Sequence, residues 1–257
     1  MIKFSLLGSG SSGNAVLVSG GGAKILIDDG FSLKELQRRA ELVGETLAGL
    51  DGVFITHEHS DHVCGVGVLA RKLGVPVYMT PHTHQALSPG VGEIPTLRYF
   101  ESGDTLRVGG MELTSFSIPH DAADPVSFTI ACEGVKMGLA TDLGHASMLV
   151  KQRLSGSHAL VLESNYCPER LTYSPYPEQV RQRIRGRHGH LSNHDMASLL
   201  HGLLHDALRT VVLIHISENN NAPGLARSLA EQVLRGHGAQ LHLAEHDAPT
   251  PMFEVVA

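Results

Sequence analysis

A chain of 257 residues, 42% of them hydrophobic, is long enough to bury a substantial core, and no apolar run approaches the roughly 20 residues that span a bilayer. A net charge of −6 excludes a global basic field that would draw the protein to nucleic acid by charge alone. Cys64, Cys132 and Cys167 are odd in number and scattered, which excludes a disulfide framework and points to a reducing cytoplasm.

The opening stretch reads as a first strand, Ile2–Leu7, rather than a signal peptide, because its apolar core is too short. It ends in Gly8-Ser9-Gly10-Ser11-Ser12-Gly13-Asn14, followed by apolar Ala15–Val18. Seven small residues between two strands make either a plain hairpin or a nest of backbone N–H groups near an anionic ligand. On the second reading Ser9, Ser11, Ser12 and Asn14 touch substrate. Lys24–Asp28 is a strand carrying Asp28 and Asp29 at its end, and Ser32 N-caps an amphipathic helix to Leu42.

The densest chemistry lies in Val53-Phe54-Ile55-Thr56-His57-Glu58-His59-Ser60-Asp61-His62. Three histidines and an aspartate within six residues cannot share one face of a regular helix or strand. They converge only if a tight loop after the strand turns them inward. A lone His-x-His would be an ordinary surface turn, but the full cluster behind an apolar strand reads as a metal site. Imidazole and carboxylate suit zinc, or manganese or iron at lower affinity.

Beyond it, Gly65–Leu73 is helical, Val75–Met79 is a short strand, and Pro81–Leu87 makes a turn or two of helix. His82 and His84 there have no carboxylate partner and read as surface residues. Thr105–Val108, Met111–Ile118, Val126–Cys132 and Val135–Thr141 read as consecutive strands, with turns at Gly109-Gly110 and Glu133-Gly134. Helices and strands then alternate: helix Ala146–Leu154, strand Ala159–Leu162, a basic helix holding Arg181, Arg183, Arg185 and Arg187, a helix to about Leu204, strand Thr210–Ile214, helix Pro223–Arg235 and a last strand, Gln240–Leu243. The fold class is α/β (α+β), a four-layer αββα sandwich of two sheets with helices outside, in one domain spanning residues 1–257. Asp28, His57, His120, Asp142, Glu163 and His215 all fall at strand C-termini, where a rigid scaffold holds chemistry.

This pattern resembles the metallo-β-lactamase fold superfamily over essentially the whole chain. By that resemblance His57, His59 and His120 hold one metal, Asp61, His62 and His215 a second, and Asp142 bridges them. Asp28 is then a buried residue that orients the signature loop. A carboxylate bridge, rather than a thiol, favours the di-metal hydrolase branches, many of which act on phosphodiesters. Leu162-Glu163-Ser164-Asn165 and Gly189-His190-Leu191-Ser192 look like the paired motifs of ribonuclease Z and its relatives, in which a Glu–His pair supplies a proton to the leaving oxygen.

The glycine-serine loop, Pro119-His120-Asp121-Ala122, Glu163-Ser164-Asn165, Gly189–Asn193 and His215-Ile216-Ser217-Glu218-Asn219-Asn220 together resemble the YycJ (WalJ) group. The resemblance implies a cytoplasmic 5′→3′ exonuclease on DNA, with two divalent ions, zinc or manganese with iron also compatible. Asp61, Glu163 and His190 would be its catalytic residues. The arginine run reads either as a guide for the nucleic-acid backbone or as a solvated helix face. The alternative is a small-molecule hydrolase, acting on a cyclic phosphodiester or a thioester at the same di-metal site.

Overall fold

The computed structural model describes residues 1–256. Strands β1 (Ile2–Gly8), β2 (Ala15–Gly20), β3 (Ala23–Ile27), β4 (Gly52–Phe54), β5 (Val77–Met79) and β6 (Leu97–Tyr99) form most of one sheet. Strands β7 (Thr105–Val108), β8 (Met111–Ser117), β9 (Val126–Cys132), β10 (Val135–Ala140), β11 (Ala159–Glu163), β12 (Thr210–Ile214) and β13 (Gln240–Leu243) form the other. Strand β14 (Phe253–Val255) returns to the first sheet and pairs antiparallel with β1. The chain therefore does not finish at Gln240–Leu243, as its sequence suggested. Three residues are too few to show an alternating pattern, and β14 is held by packing, with Phe253 lying 5.0 Å from Phe4.

Each sheet has an antiparallel half and a parallel half. Hairpins join β1 to β3 and β7 to β10, whereas β3 to β6 and β10 to β13 run parallel across helical crossovers. The β2–β3 turn is Gly21-Gly22 with φ of 55° and 79°, the doubly left-handed geometry of a two-residue hairpin. Gly21 must also be glycine for space: a Cβ there would sit 2.5 Å from Gly110, whose N–H donates to the Gly21 carbonyl across the two sheets.

The facing sheets close on Phe4, Ile25, Phe54, Phe128, Ile130 and Val161. A second apolar layer lies between β10–β12 and helices Met148–Leu154, Asn193–Leu203 and Pro223–Val233, and a third lies under Leu33–Leu42 and Val66–Leu73. This gives the expected four layers. Strands β11 and β12 are buried along their whole length, which fits central parallel strands covered on both faces. Such strands leave polar chemistry only to their ends.

Candidate metal centre

Asp28 and His215 directly follow β3 and β12, Asp142 follows β10 after one intervening residue, and Asp28, Asp142 and His215 all have left-handed backbones, with φ of 60°, 53° and 53°. Only Glu133 among the other described non-glycine residues shares that conformation. A left-handed residue at a strand end turns the chain sharply and points its side chain across the rim. Aspartate and histidine are among the side chains that tolerate it best. The signature loop turns by another device: a short helix, Ser60–Val63, starts after His59 and carries Asp61 and His62 inward.

Seven predicted ligands meet at this rim. His57 Nε2 lies 3.1 Å from His59 Nδ1, and His120 Nε2 lies 3.3 Å from the same nitrogen. His62 Nε2 lies 3.5 Å from Asp61 Oδ2 and 3.3 Å from Asp142 Oδ2, and His215 Nε2 is 3.9 Å from Asp61 Oδ2. Asp142 sits between the two sets, its Oδ1 3.9 Å from His120 Nε2.

The outer nitrogens of His57, His62, His120 and His215 are spoken for. Thr56 donates its N–H and its hydroxyl to Asp28, at 2.8 and 2.9 Å, and His62 Nδ1 meets the same carboxylate at 2.8 Å. His57 Nδ1 lies 2.9 Å from the Thr56 hydroxyl, so Asp28 fixes both rings with Nε2 inward. The Gly189 carbonyl accepts from His120 Nδ1 at 3.1 Å. Glu163 Oε1 takes His215 Nδ1 at 2.9 Å and His190 Nδ1 at 2.7 Å, while Oε2 accepts from the Leu143 and Leu191 N–H groups.

The charge balance of the rim fits cations. Among the described residues, every ionic partner of Asp28, Asp61, Asp142 and Glu163 is an imidazole. Burial, with His62 alongside, holds His57 well below its ordinary range, and burial also lowers His120, so both present neutral lone pairs. Burial opposes charge on His215 as well, but Asp142 and Glu163 outweigh it and raise the ring to about 9. Converging imidazoles beside buried carboxylates that no lysine or arginine balances are a donor set for divalent metal. His57, His59 and His120 form one such group, and His57, His62 and Asp142 another.

The four residues of the glycine-serine loop separate. Ser9 is buried, and its hydroxyl accepts from the His215 N–H at 2.7 Å. Asn14 is buried too, its Nδ2 3.1 Å from Asp61 Oδ2 and 3.0 Å from His62 Nε2. Ser11 and Ser12 are exposed. Sequence reasoning missed Thr56, whose hydroxyl relays Asp28 to His57; its place just before the first histidine was the available signal. His82 does face a carboxylate, Asp124, at 3.8 Å, brought there by the fold from 42 residues along the chain. The arginine run is half balanced: Glu178 is shared by Arg181 and Arg185, Asp121 pairs with Arg183, and Arg187 has no ion pair among the described residues.

Two facing sheets with imidazoles and carboxylates gathered at one rim define a metallo-β-lactamase-fold protein with a divalent-metal site. The chain belongs to the beta-lactamase superfamily, whose domain model matches residues 23–216, and within it to the YycJ/WalJ group. It is 36% identical to "Exodeoxyribonuclease YycJ" of Bacillus anthracis, across 98% of this chain and 97% of that protein. It is 32% identical to "Exodeoxyribonuclease WalJ" of Streptococcus pneumoniae, across 98% of each. The metallo-beta-lactamase fold protein YhfI of Bacillus subtilis superposes with a TM-score of 0.72 at 17% identity, covering 97% of this chain and 98% of that one.

Proposed function

We propose that the protein is a metal-dependent phosphodiesterase, a 5′→3′ exonuclease on DNA, with two divalent ions, zinc or manganese, held by His57, His59 and His120 on one side and by Asp61, His62 and His215 on the other, with Asp142 between. Such ions would supply Lewis acidity, activating water near neutral pH and offsetting charge on the phosphoryl oxygens. The chain's own residues do the rest. Asp61, half-buried and open to the centre, accepts a hydrogen bond from the attacking water. His190 gives its proton to the departing oxygen.

The observation that carries this reading is the Glu163–His190 pair. The Nδ1 of His190 is held at 2.7 Å, and the ring is 21% exposed at the rim, so its Nε2–H is available to a leaving group. The buried carboxylate fixes the ring through Nδ1 and so turns Nε2 toward the rim, the orientation a general acid requires. Full-length similarity to exodeoxyribonucleases supports DNA as the substrate.

The pairing of Arg181, Arg183 and Arg185 with acids favours a second reading, a small-molecule phosphodiesterase or thioesterase at the same site. Digestion of end-labelled duplexes carrying a 5′-phosphate or 5′-hydroxyl, with zinc or manganese supplied, decides between them. Stepwise release of nucleotides from the 5′ end is expected. Turnover of bis(p-nitrophenyl) phosphate with no DNA cleavage would establish the second reading.

A further inference from the structure

Beside His190 and His215 the rim opens into a cavity of 130 Å³. Its wall includes Asn165, Asn220, Tyr176, Ser11 and Ile184, none of which the chemistry above uses. Asn220 is 1% exposed, yet its Oδ1 is buried with no hydrogen-bond partner among the described residues. A buried carboxamide oxygen without a partner is costly, and a ligand with a donor group relieves it. Asn165 presents a second carboxamide, anchored through its Nδ2 on the His215 carbonyl at 2.9 Å. Tyr176 is fixed at the mouth, its hydroxyl accepting from Asn219 Nδ2 at 2.8 Å.

We propose that this cavity binds the base of the nucleotide whose oxygen departs, an inference that rests on the nuclease reading above. Three features select that ligand. The lining holds no lysine or arginine, and its two histidines are tied to Glu163, so it is not built for a terminal phosphate. Its volume is close to the roughly 150 Å³ that accommodates one benzene ring, and Tyr176 and Ile184 offer flat or apolar contact to such a ring. Carboxamides carry a donor and an acceptor side by side, as base edges do. Contact with His190 places the bound base on the leaving side of the scissile bond. The reaction is thereby steered toward ends whose terminal base can leave the stack and enter.

The test compares duplexes that end in thymidine with duplexes whose terminal nucleotide is abasic, using metal-loaded protein. Wild type should show kcat/KM roughly 10-fold or more lower on the abasic end, the size of one stacked and hydrogen-bonded base. Asn220→Leu keeps the branching and the number of heavy atoms and withdraws both polar atoms, and should bring the ratio near one. Equal rates in the wild type, or an undiminished ratio in Asn220→Leu, would overturn the proposal. Thymidine titrated into metal-free wild type, followed by the Asn220 side-chain amide resonances, reads the pocket without catalysis. A protein that cleaves no DNA but shifts those resonances overturns only the nuclease reading. One that cleaves DNA with no shift overturns only the pocket, and absence of both overturns both.

Discussion

Glu163 is the residue on which most of the site's geometry depends. It is fully buried, and four donors converge on its two oxygens, two imidazoles and two backbone N–H groups. It touches no reacting atom, so it acts as a positioning residue for His190 and His215 together. His190→Ala should therefore lower turnover of DNA by roughly 10²–10⁴-fold with metal content retained, and much less on bis(p-nitrophenyl) phosphate, whose leaving group needs no proton. Equal losses on the two substrates would remove the general-acid role. Glu163→Gln should behave differently: one amide oxygen cannot serve four donors, so His215 is also freed, and metal occupancy falls along with activity on both substrates. Asp29 gives a second test at this scale. Burial is the main cause that pushes its carboxyl up to about 7, with Asp28 adding to it against the Phe31 N–H that Asp29 accepts. A folded pKa above the unfolded 3.8 means that the native state keeps a proton the unfolded chain has lost. Stability therefore falls as pH rises from about 4 to about 7 and is level above, by an amount on the order of 4 kcal/mol at most. Asp29→Asn stays neutral throughout, so its melting temperature relative to wild type should climb across that window. A pH-independent difference would contradict a buried, protonated Asp29.

At the scale of elements, the strand ends carry the function and the strands only hold them. Asp28 and Asp142 share a left-handed backbone, so alanine at either place adds strain of roughly 1–2 kcal/mol that has nothing to do with metal. Asparagine tolerates the conformation and is the cleaner probe. Asp142→Asn should abolish turnover and lower metal content at both sites, because its carboxylate lies between the two histidine sets. Asp28→Asn should act more mildly, loosening the rings of His57 and His62 through Thr56. Metal analysis showing a greater loss for Asp28→Asn would reverse the two roles. Much of this was legible in the sequence, since β1, β8–β12 and the flanking helices bury long apolar or periodic runs, and the signature loop sits just behind the short apolar strand β4. What was not legible depends on distance or conformation. The left-handed turns at Asp28, Asp142 and His215 leave no mark that separates them from other strand ends. The helix Ser60–Val63 is a single turn inside a polar cluster. The arginine helix looked cationic because Asp121, which neutralises Arg183, lies 62 residues away. Ser9 and Asn14 looked ligand-facing because a glycine-serine loop is the same string whether it cradles substrate or braces Asp61 and His215.

Across the whole molecule, the core joins the two sheets while the rim gathers acids that no lysine or arginine balances. Phe54 packs edge-on against Phe128 across the interface at 6.2 Å, and the Val126 N–H donates to the Thr56 carbonyl just before the first histidine. The metal centre is therefore bolted to the same sheet–sheet contact that holds the fold, and binding there should stabilise everything. The donors within the site are nitrogen and oxygen only; Cys64, Cys132 and Cys167 belong to none of the ligating groups. We expect about two ions per chain and an X-ray absorption spectrum without sulfur scattering. Free metal at 100 times its dissociation constant contributes about 2.7 kcal/mol per site, and a chain of this size shifts by about 2–4 °C per kcal/mol. Chelation should thus lower the melting temperature by roughly 10–20 °C when both sites empty, and the metal-free chain should still melt in one transition if residues 1–257 form the single unit we propose. Restoring zinc or manganese should recover the loss in wild type and only part of it in Asp142→Asn. An unchanged melting temperature on chelation, with metal shown to have left, would mean that the rim tolerates its buried acids without cations, and the di-metal assignment would fall.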